Sequence, residues 1–84
     1  MAYEVHLADS VRDKLRKMVK KDSLAYNRLL KLFNQLAENP YTVGKWMHSE
    51  YAGVRERHIG YFVVKYVIND NAKTVTIVDY DHHA

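Results

Sequence analysis

The sequence predicts an α+β domain in which an N-terminal strand and an α-helical hairpin precede a four-stranded, largely antiparallel sheet, in the order β-α-α-β-β-β-β. Three observations predict it. Apolar residues recur at helical spacing in the first half of the chain and at strand spacing in the second, and the single proline separates the two patterns. With 84 residues, the chain has room for one domain, residues 1–84, with one modest core.

The composition is that of a globular protein without cysteine chemistry. Hydrophobic residues make up 48% of the chain and charged residues 27%, so no segment is expected to be disordered. Because cysteine is absent, disulfides, thiolate metal sites and a cysteine nucleophile are excluded. Charge appears too early for a signal peptide, and no apolar run approaches the roughly 18 residues of a membrane span. We therefore expect a cytoplasmic protein with no membrane partner.

The first strand is predicted at residues 3–7, where the odd-numbered side chains share one face. Asp9 and Ser10 are predicted to cap the first helix, because their side-chain oxygens can accept from the free amides of its first turn. From Val11 onward, apolar residues recur at helical spacing with Arg and Lys between them. This helix should therefore present a basic outer face.

A second helix with a broader apolar stripe is predicted to follow, so it should be the more buried of the two. Asp22 and Ser23 can cap its start, and Asn39-Pro40 should end it because proline disfavours helix at the preceding residue. Residues 1–42 carry eight Lys and Arg against five Asp and Glu. That excess predicts binding to an acidic partner or a nucleic acid, although a solvated helix face is the commoner explanation.

Four strands are predicted after the proline, at 45–50, 54–59, 61–68 and 73–80, and the third of them consists almost wholly of β-branched and aromatic residues. Gly60 can supply the positive φ of a tight hairpin, and residues 69–72 form a second turn cluster. In the last strand the odd-numbered residues are expected to face the helices. Val78, Tyr80 and His82 would then lie on the open face of the sheet. Pattern alone leaves the register of the central strand open.

Two arginines are the first candidates for chemistry. Arg55 and Arg57 are two apart on a strand and so point to one face, with Glu56 and His58 on the other. Adjacent guanidiniums repel unless an anion lies between them, and a phosphodiester suits their geometry. The alternative is a solvent-facing strand edge kept charged to prevent pairing with other chains.

The C-terminal segment 79–83 is the densest group of ionisable residues. His82 and His83 beside Tyr80 could perform general acid/base catalysis, while the alternative is a polar, frayed chain end. A metal site is not expected, because the carboxylates and imidazoles alternate across the strand. Nearer the sheet's start, Lys45, Trp46 and His48 suit stacking on bases and binding of phosphate, although Trp46 could equally be a core residue.

The order of elements, the Gly-Val-Arg-Glu-Arg-His-Ile-Gly-Tyr-Phe-Val-Val-Lys-Tyr stretch at 53–66 and a terminal strand closing in His-His resemble the RelE/ParE toxin superfamily. This resemblance implies a small cytoplasmic toxin with a cognate antitoxin as partner. The RelE and YoeB branches imply a metal-independent endoribonuclease that cuts mRNA in the ribosomal A site, with the RNA 2′-hydroxyl as nucleophile. The family's paired basic residues correspond to Arg55 and Arg57, and its terminal histidine and tyrosine correspond to His82, His83 and Tyr80.

One position departs from the family pattern. The residue after Gly60-Tyr61 is often arginine in the family, whereas here it is Phe62. Phenylalanine cannot bind phosphate. Either Arg57 or Lys65 therefore substitutes for the arginine, or the activity is altered.

The resemblance therefore implies a ribosome-dependent mRNA endoribonuclease that uses no cofactor. His82 or His83 would take the proton of a 2′-hydroxyl while Arg55 and Arg57 stabilise the charge of the phosphorane. The residues expected to bind RNA or to assist proton transfer are Lys45, His58, Lys65 and Tyr80. The expected partners are an antitoxin, the ribosome and mRNA, in a homodimer or a toxin–antitoxin hetero-oligomer. The alternatives are a ParE-type toxin that binds DNA gyrase and an inactive binding module; Phe62 favours these two, and the His-His end favours the nuclease.

Overall fold

The predicted order of elements is confirmed, with one short helix added. The computed structural model describes residues 2–43, 45–46 and 53–82. Its elements are β1 (Glu4–Leu7), α1 (Asp9–Lys21), α2 (Ser23–Glu38), α3 (Pro40–Val43), β2 (Lys45–Trp46), β3 (Val54–Ile59), β4 (Phe62–Asn69) and β5 (Thr74–His82). The predicted strand at 45–50 is described only at its first two residues, since 47–50 lie outside the described ranges.

The strands form one five-stranded sheet in the order β1-β5-β4-β3-β2. Consecutive strands from β2 to β5 pair antiparallel. The first strand completes the sheet by pairing with the last, parallel to it, so that Val5 lies opposite Val75 and Leu7 opposite Ile77. The helical hairpin packs on one face of this sheet. No helix of the described ranges is long and apolar enough to span a membrane.

The start of α2 agrees with the sequence prediction and the start of α1 does not. An Asp22 carboxylate oxygen accepts from the Ala25 amide at 3.1 Å, which caps α2. The N-cap of α1 is Ala8, without a side-chain hydrogen bond, and Asp9 and Ser10 lie inside the first turn. The reason is tertiary: the Ala8 amide donates to the Ile77 carbonyl at 3.0 Å, so the chain passes directly from sheet pairing into the helix.

The proline after α2 ends one helix and begins another. Asn39 is the C-cap of α2, as predicted, but Pro40 is the first residue of α3, a position where its missing amide costs nothing. Pro40 also contributes to the interior, because its carbonyl accepts from the buried Tyr66 hydroxyl at 3.1 Å. The short helix therefore closes one end of the core.

The core lies between the helical hairpin and one face of the sheet. Both helices and three strands contribute to it: Val11, Leu15, Leu29, Leu32, Phe33, Leu36, Val64, Tyr66, Val75, Ile77 and Tyr80. In β4 the even-numbered residues face the helices, which settles the register that the apolar pattern left open. The odd-numbered side chains of β4, including Lys65, are on the opposite face.

A bulge in β5 overturns the prediction that Tyr80 and His82 lie on the open face. Tyr66 pairs with Ile77 and Lys65 pairs with Asp79, so Val78 is an extra residue between two regular stretches. The alternation of side chains is inverted beyond it. Tyr80 is consequently only 5% exposed and belongs to the core. Tyr80 and His82 lie on the same face of the sheet as the helices.

Candidate functional site

The described candidate residues are divided between the two faces of the sheet. Arg57 pairs with Val64, and Val64 pairs with Tyr80, so these three lie in one row on the helix-side face. His58 lies with Glu56 on the other face, where its Nε2 atom is 3.8 Å from a Glu56 carboxylate oxygen. Lys65 pairs with Glu56 and shares that face. The structure therefore places Arg57 on the same face of the sheet as Tyr80 and His82, and places His58 and Lys65 on the opposite face.

Four predicted residues fall wholly or partly outside the described ranges. His83 and His48 lie outside them, and so do the side chains of Lys45 and Trp46. The backbone of Lys45 pairs with Glu56 in the ladder between β2 and β3. For these residues the sequence-based assignments stay predictions.

Arg55 is buried, in contrast to Arg57. Its side chain is 8% exposed, and one guanidinium nitrogen, Nη1, donates to the Tyr41 carbonyl at 3.3 Å. The guanidinium also lies 4.9 Å from the centroid of the Tyr41 ring. Arg55 therefore joins β3 to α3 and is not part of a solvent-facing strand edge, which was the alternative interpretation of this pair. Arg57 is exposed on the same face.

The Asp70 carboxylate links Tyr41, which Arg55 contacts, to Tyr3 near the N-terminus. The Tyr3 hydroxyl donates to Asp70 at 2.7 Å, and the Tyr41 hydroxyl donates to the other oxygen of the same carboxylate. These hydrogen bonds hold the pKa of Asp70 below its ordinary value and raise the pKa of Tyr3 to about 12. Asp70 thus ties β1 and α3 to the turn between β4 and β5.

Tyr80 is available for RNA contact only at its margin. The side chain packs in the core, and burial raises the pKa of its hydroxyl above the ordinary value. The Lys14 Nζ atom lies 5.3 Å from the centre of the ring. Tyr80 therefore supports the site from beneath.

The open edge of β5 is covered by a lysine from α1. Beyond Ile77, where β1 ends, Lys14 Nζ donates to the Tyr80 carbonyl at 3.0 Å and to an Asp79 carboxylate oxygen at 2.9 Å. The contact with Asp79 raises the pKa of Lys14. The Asp79 carboxylate thus forms an ion pair with Lys14. Over the ranges that the structure describes, no group of three His, Asp or Glu side chains is arranged to hold a metal ion.

His82 is exposed and lies among aromatic rings. Its ring stacks on Tyr61 with centroids 6.0 Å apart and 19° between the planes. It meets Phe62 edge-on at 5.2 Å, and Phe62 in turn meets Tyr80 edge-on at 5.9 Å. The Phe62 ring therefore supports the imidazole.

A cleft of about 240 Å³ opens between the first turns of α2 and the β3–β4 hairpin. It is lined by Asp22, Leu24, Ala25, Arg28, Ile59, Gly60, Tyr61, Phe62 and His82. The turn is closed by Gly60 with a φ of 56°, as the sequence predicts, and a Cβ atom at this position would lie 3.5 Å from Arg28 Nη1. Sequence reasoning missed Arg28, because nothing in the local pattern links residue 28 to the hairpin. An aromatic residue directly after a turn glycine was the signal that could have drawn attention to Tyr61.

A second, apolar groove of about 310 Å³ lies beside α1 and α2. Its apolar residues are Leu7, Leu15, Val19, Tyr26 and Leu30, and its charged residues are Arg12 and Arg16. Val19 is 42% exposed and Leu30 36% exposed, which is high for large aliphatic side chains on adjoining helices. The groove combines an apolar floor with a basic border.

Comparison with known proteins finds that the chain is similar to toxins. No protein-family model matches the chain. The candidate toxin RelE4 of Methanocaldococcus jannaschii is 30% identical over 81 residues, which cover 96% of this chain and 86% of that protein. The toxin–antitoxin complex RelBE2 from Mycobacterium tuberculosis contains a chain with a TM-score of 0.84 and 27% identity, covering 99% of this chain and 100% of that one. The YoeB/ParE toxin from Agrobacterium tumefaciens has the same fold, with a TM-score of 0.84, 12% identity and coverage of 96% and 99%.

Proposed function

The chain belongs to the RelE/ParE toxin superfamily, and from that premise we propose that it is a ribosome-dependent mRNA endoribonuclease that inhibits translation in the cytoplasm without a metal ion. The observation that supports this proposal best is the joint placement of Arg57 and His82 on the helix-side face of the sheet. Arg57 lies two strands from Tyr80, a separation of about 10 Å between backbones.

In the proposed reaction the imidazole accepts a proton, and the guanidinium stabilises negative charge. His82, or its neighbour His83, takes the proton of a 2′-hydroxyl, and the 2′-oxygen then forms a bond to the adjacent phosphorus. The bond from phosphorus to the 5′-oxygen breaks, and that oxygen takes a proton from an acid or from water. Arg57 stabilises the negative charge on the phosphorane oxygens.

The remaining candidates have more distant roles in this proposal. Arg55 is a positioning residue, because its guanidinium lies buried against Tyr41 and holds the strand that carries Arg57. His58 and Lys65 lie on the opposite face and can contact only RNA or ribosome that passes behind the sheet. Arg57, rather than Lys65, is consequently the strand cation that compensates for Phe62.

A second candidate function is that of a ParE-type toxin that binds DNA gyrase without cleaving a substrate. The observation that favours it is Phe62, whose ring packs between His82 and Tyr80 where a cation would assist catalysis. Phe62 equally favours a catalytically inactive member of the superfamily that acts as a binding module. Both alternatives differ from the nuclease because neither cleaves mRNA.

We further propose that an acidic antitoxin binds the groove beside α1 and α2. Its exposed apolar residues would be covered by the apolar face of an antitoxin helix, and Arg12 and Arg16 at its border would pair with carboxylates. The similar RelBE2 structure from Mycobacterium tuberculosis is a toxin–antitoxin complex, which supports a partner of this kind.

The deciding experiment compares cleavage and supercoiling. Purified ribosomes programmed with a defined message are incubated with the wild-type protein, and gyrase is assayed in parallel. We expect cleavage of the message, and a loss of roughly 10²-fold or more in Arg57→Ala and in the double change His82→Ala with His83→Ala. Lys31→Ala, which removes an exposed cation from α2, is the matched control. An intact message together with inhibited gyrase would replace the nuclease by the gyrase-binding function.

A further inference from the structure

The cleft between α2 and the β3–β4 hairpin contains two groups to which the proposed reaction gives no role. Arg28 brings a guanidinium from the helix, and Tyr61 brings an aromatic ring from the turn. His82, which the proposed reaction uses, lies at the same cleft. The cleft is thus continuous with the proposed catalytic residues and extends beyond them.

Arg28 approaches the β3–β4 hairpin at the Gly60 turn. With no side chain at Gly60, Arg28 Nη1 comes to 3.5 Å from the position that a Cβ atom would take. Across the described ranges, no carboxylate lies within 4.0 Å of this guanidinium. Asp22, an acidic residue that lines the cleft, accepts from the Ala25 amide with one carboxylate oxygen. An anion entering the cleft would therefore meet an available guanidinium.

Tyr61 provides a flat surface at the same cleft. It is 71% exposed although it is a large aromatic side chain, and it stacks on His82. An exposed ring beside a cation is a common arrangement in proteins that hold single-stranded nucleic acid, because every base has a face that can stack. Phe62 and Ile59 supply apolar surface at the same place.

We propose that this cleft is a nucleotide subsite for single-stranded RNA, in which Arg28 binds a phosphate and Tyr61 stacks on a base. The subsite rests on the proposed function, since it would hold the nucleotide next to the bond that Arg57 and His82 cleave. A free anion would bind Arg28 but would not require the aromatic ring. The pairing of the two groups therefore indicates a nucleotide rather than phosphate alone.

The first test measures binding without the ribosome. A single-stranded RNA trinucleotide is titrated into the full-length protein, and binding is followed by the NMR signals of the Arg28 Nε–H group and the His82 ring. We expect Arg28→Ala to weaken binding about tenfold or more, since a charge-assisted hydrogen bond to phosphate is lost. Tyr61→Leu should weaken it about fivefold or more, and Tyr61→Phe should restore it. Lys31→Ala, on the same helix but not among the residues that line the cleft, is the control.

The second test measures cleavage on programmed ribosomes with the same variants, after thermal unfolding has shown that each is folded. Reduced cleavage in Arg28→Ala and Tyr61→Leu, but not in Lys31→Ala, supports the subsite. If the wild type cleaves and both cleft variants cleave equally well, the subsite is wrong and the nuclease stands. If the wild type does not cleave, the nuclease fails, and the trinucleotide titration decides the subsite alone. Inorganic phosphate that binds as tightly as the trinucleotide, with no effect of Tyr61→Leu, would show an anion site and overturn the proposal.

Discussion

Arg55 and Arg57 lie two positions apart in β3 and share a face, yet their surroundings differ. Arg55 is 8% exposed and contacts the carbonyl and the ring of Tyr41, whereas Arg57 is exposed. A buried cation acts through the packing and hydrogen bonds that it holds, and an exposed one through what it can bind. The two arginines that the sequence treats as a pair therefore have separate roles, one in positioning and one in binding.

This difference predicts that two alanine substitutions change the free energy of unfolding by unequal amounts. Arg55→Ala should lower the free energy of unfolding by about 2 kcal/mol or more, because it leaves a cavity and an unpaired carbonyl next to α3. Arg57→Ala should change it by less than about 0.5 kcal/mol while reducing cleavage. Urea denaturation of both variants measures the free energy of unfolding. Equal stabilities would mean that the buried contact of Arg55 contributes nothing.

Asp70 predicts a dependence of stability on pH at both ends of the range. Its folded pKa is lowered because Tyr41 and Tyr3 donate to the ionised carboxylate, so this stabilisation is complete above its ordinary pKa of 3.8 and is lost as the pH falls below it. The pKa of Tyr3 is raised from 10.0 to about 12, so its contribution is complete below pH 10.0 and is lost as the pH rises from there towards 12.

The matching experiment compares Asp70→Asn with the wild type by thermal unfolding from acidic to alkaline pH. We expect the difference in midpoint to be largest between about pH 4 and pH 10 and to shrink on both sides. Glu38→Gln removes an exposed carboxylate elsewhere and serves as the control. A difference that is constant with pH would exclude the hydrogen-bonded carboxylate as its source.

At the scale of elements, the bulge in β5 decides which side chains the last strand presents to the site. Val75 and Ile77 face the core before the bulge, and Tyr80 faces it afterwards, because Val78 has no partner in β4. The same inversion places His82 beside Phe62, at the cleft that Arg28 borders. Without the extra residue, the proposed base would lie on the opposite face from Arg57.

The bulge predicts unequal costs for two neighbouring substitutions. Tyr80→Ala should lower the free energy of unfolding by about 3 kcal/mol, since it removes a large core ring. His82→Ala should lower it by no more than about 0.5 kcal/mol, because the imidazole is exposed. Chemical denaturation of the two variants, each checked for native secondary structure, tests the inverted alternation. A larger cost at His82 than at Tyr80 would contradict it.

At the scale of the whole molecule, the excess positive charge is concentrated on the first helix. Lys14 and Arg16 of α1 contact carboxylates, at 2.9 Å from Asp79 and 3.9 Å from Asp13. Lys17, Lys20 and Lys21 are exposed towards the end of the helix. A field of this kind attracts an acidic protein over distances longer than direct contact and so raises its association rate.

Charge reversal of Lys17, Lys20 and Lys21 to glutamate should therefore slow association with an acidic antitoxin by about tenfold at low salt and flatten the dependence of the rate on salt. Stopped-flow or surface-based kinetics with the purified partner measures both. Lys31→Glu, on α2, gives the effect of a single reversal away from this group. An association rate that does not change would mean that the antitoxin approaches another surface.

The sequence by itself determined the features that depend on neighbouring residues. Helical and strand periods, the Asp22 cap, the Gly60 turn and the end of α2 before Pro40 are all local, and the structure agrees with each of them. The shared face of Arg55 and Arg57 follows from strand alternation in the same way.

Only the tertiary structure decided which of these elements meet and in which register. The bulge at Val78 depends on how β5 aligns with β4, the burial of Arg55 depends on α3, and the approach of Arg28 to Gly60 joins residues more than thirty positions apart. None of these has a local pattern, because the free energy that favours them comes from packing between distant segments. The sequence therefore could not identify Arg28 as a cleft residue, because the pattern of its helix indicates only amphipathicity.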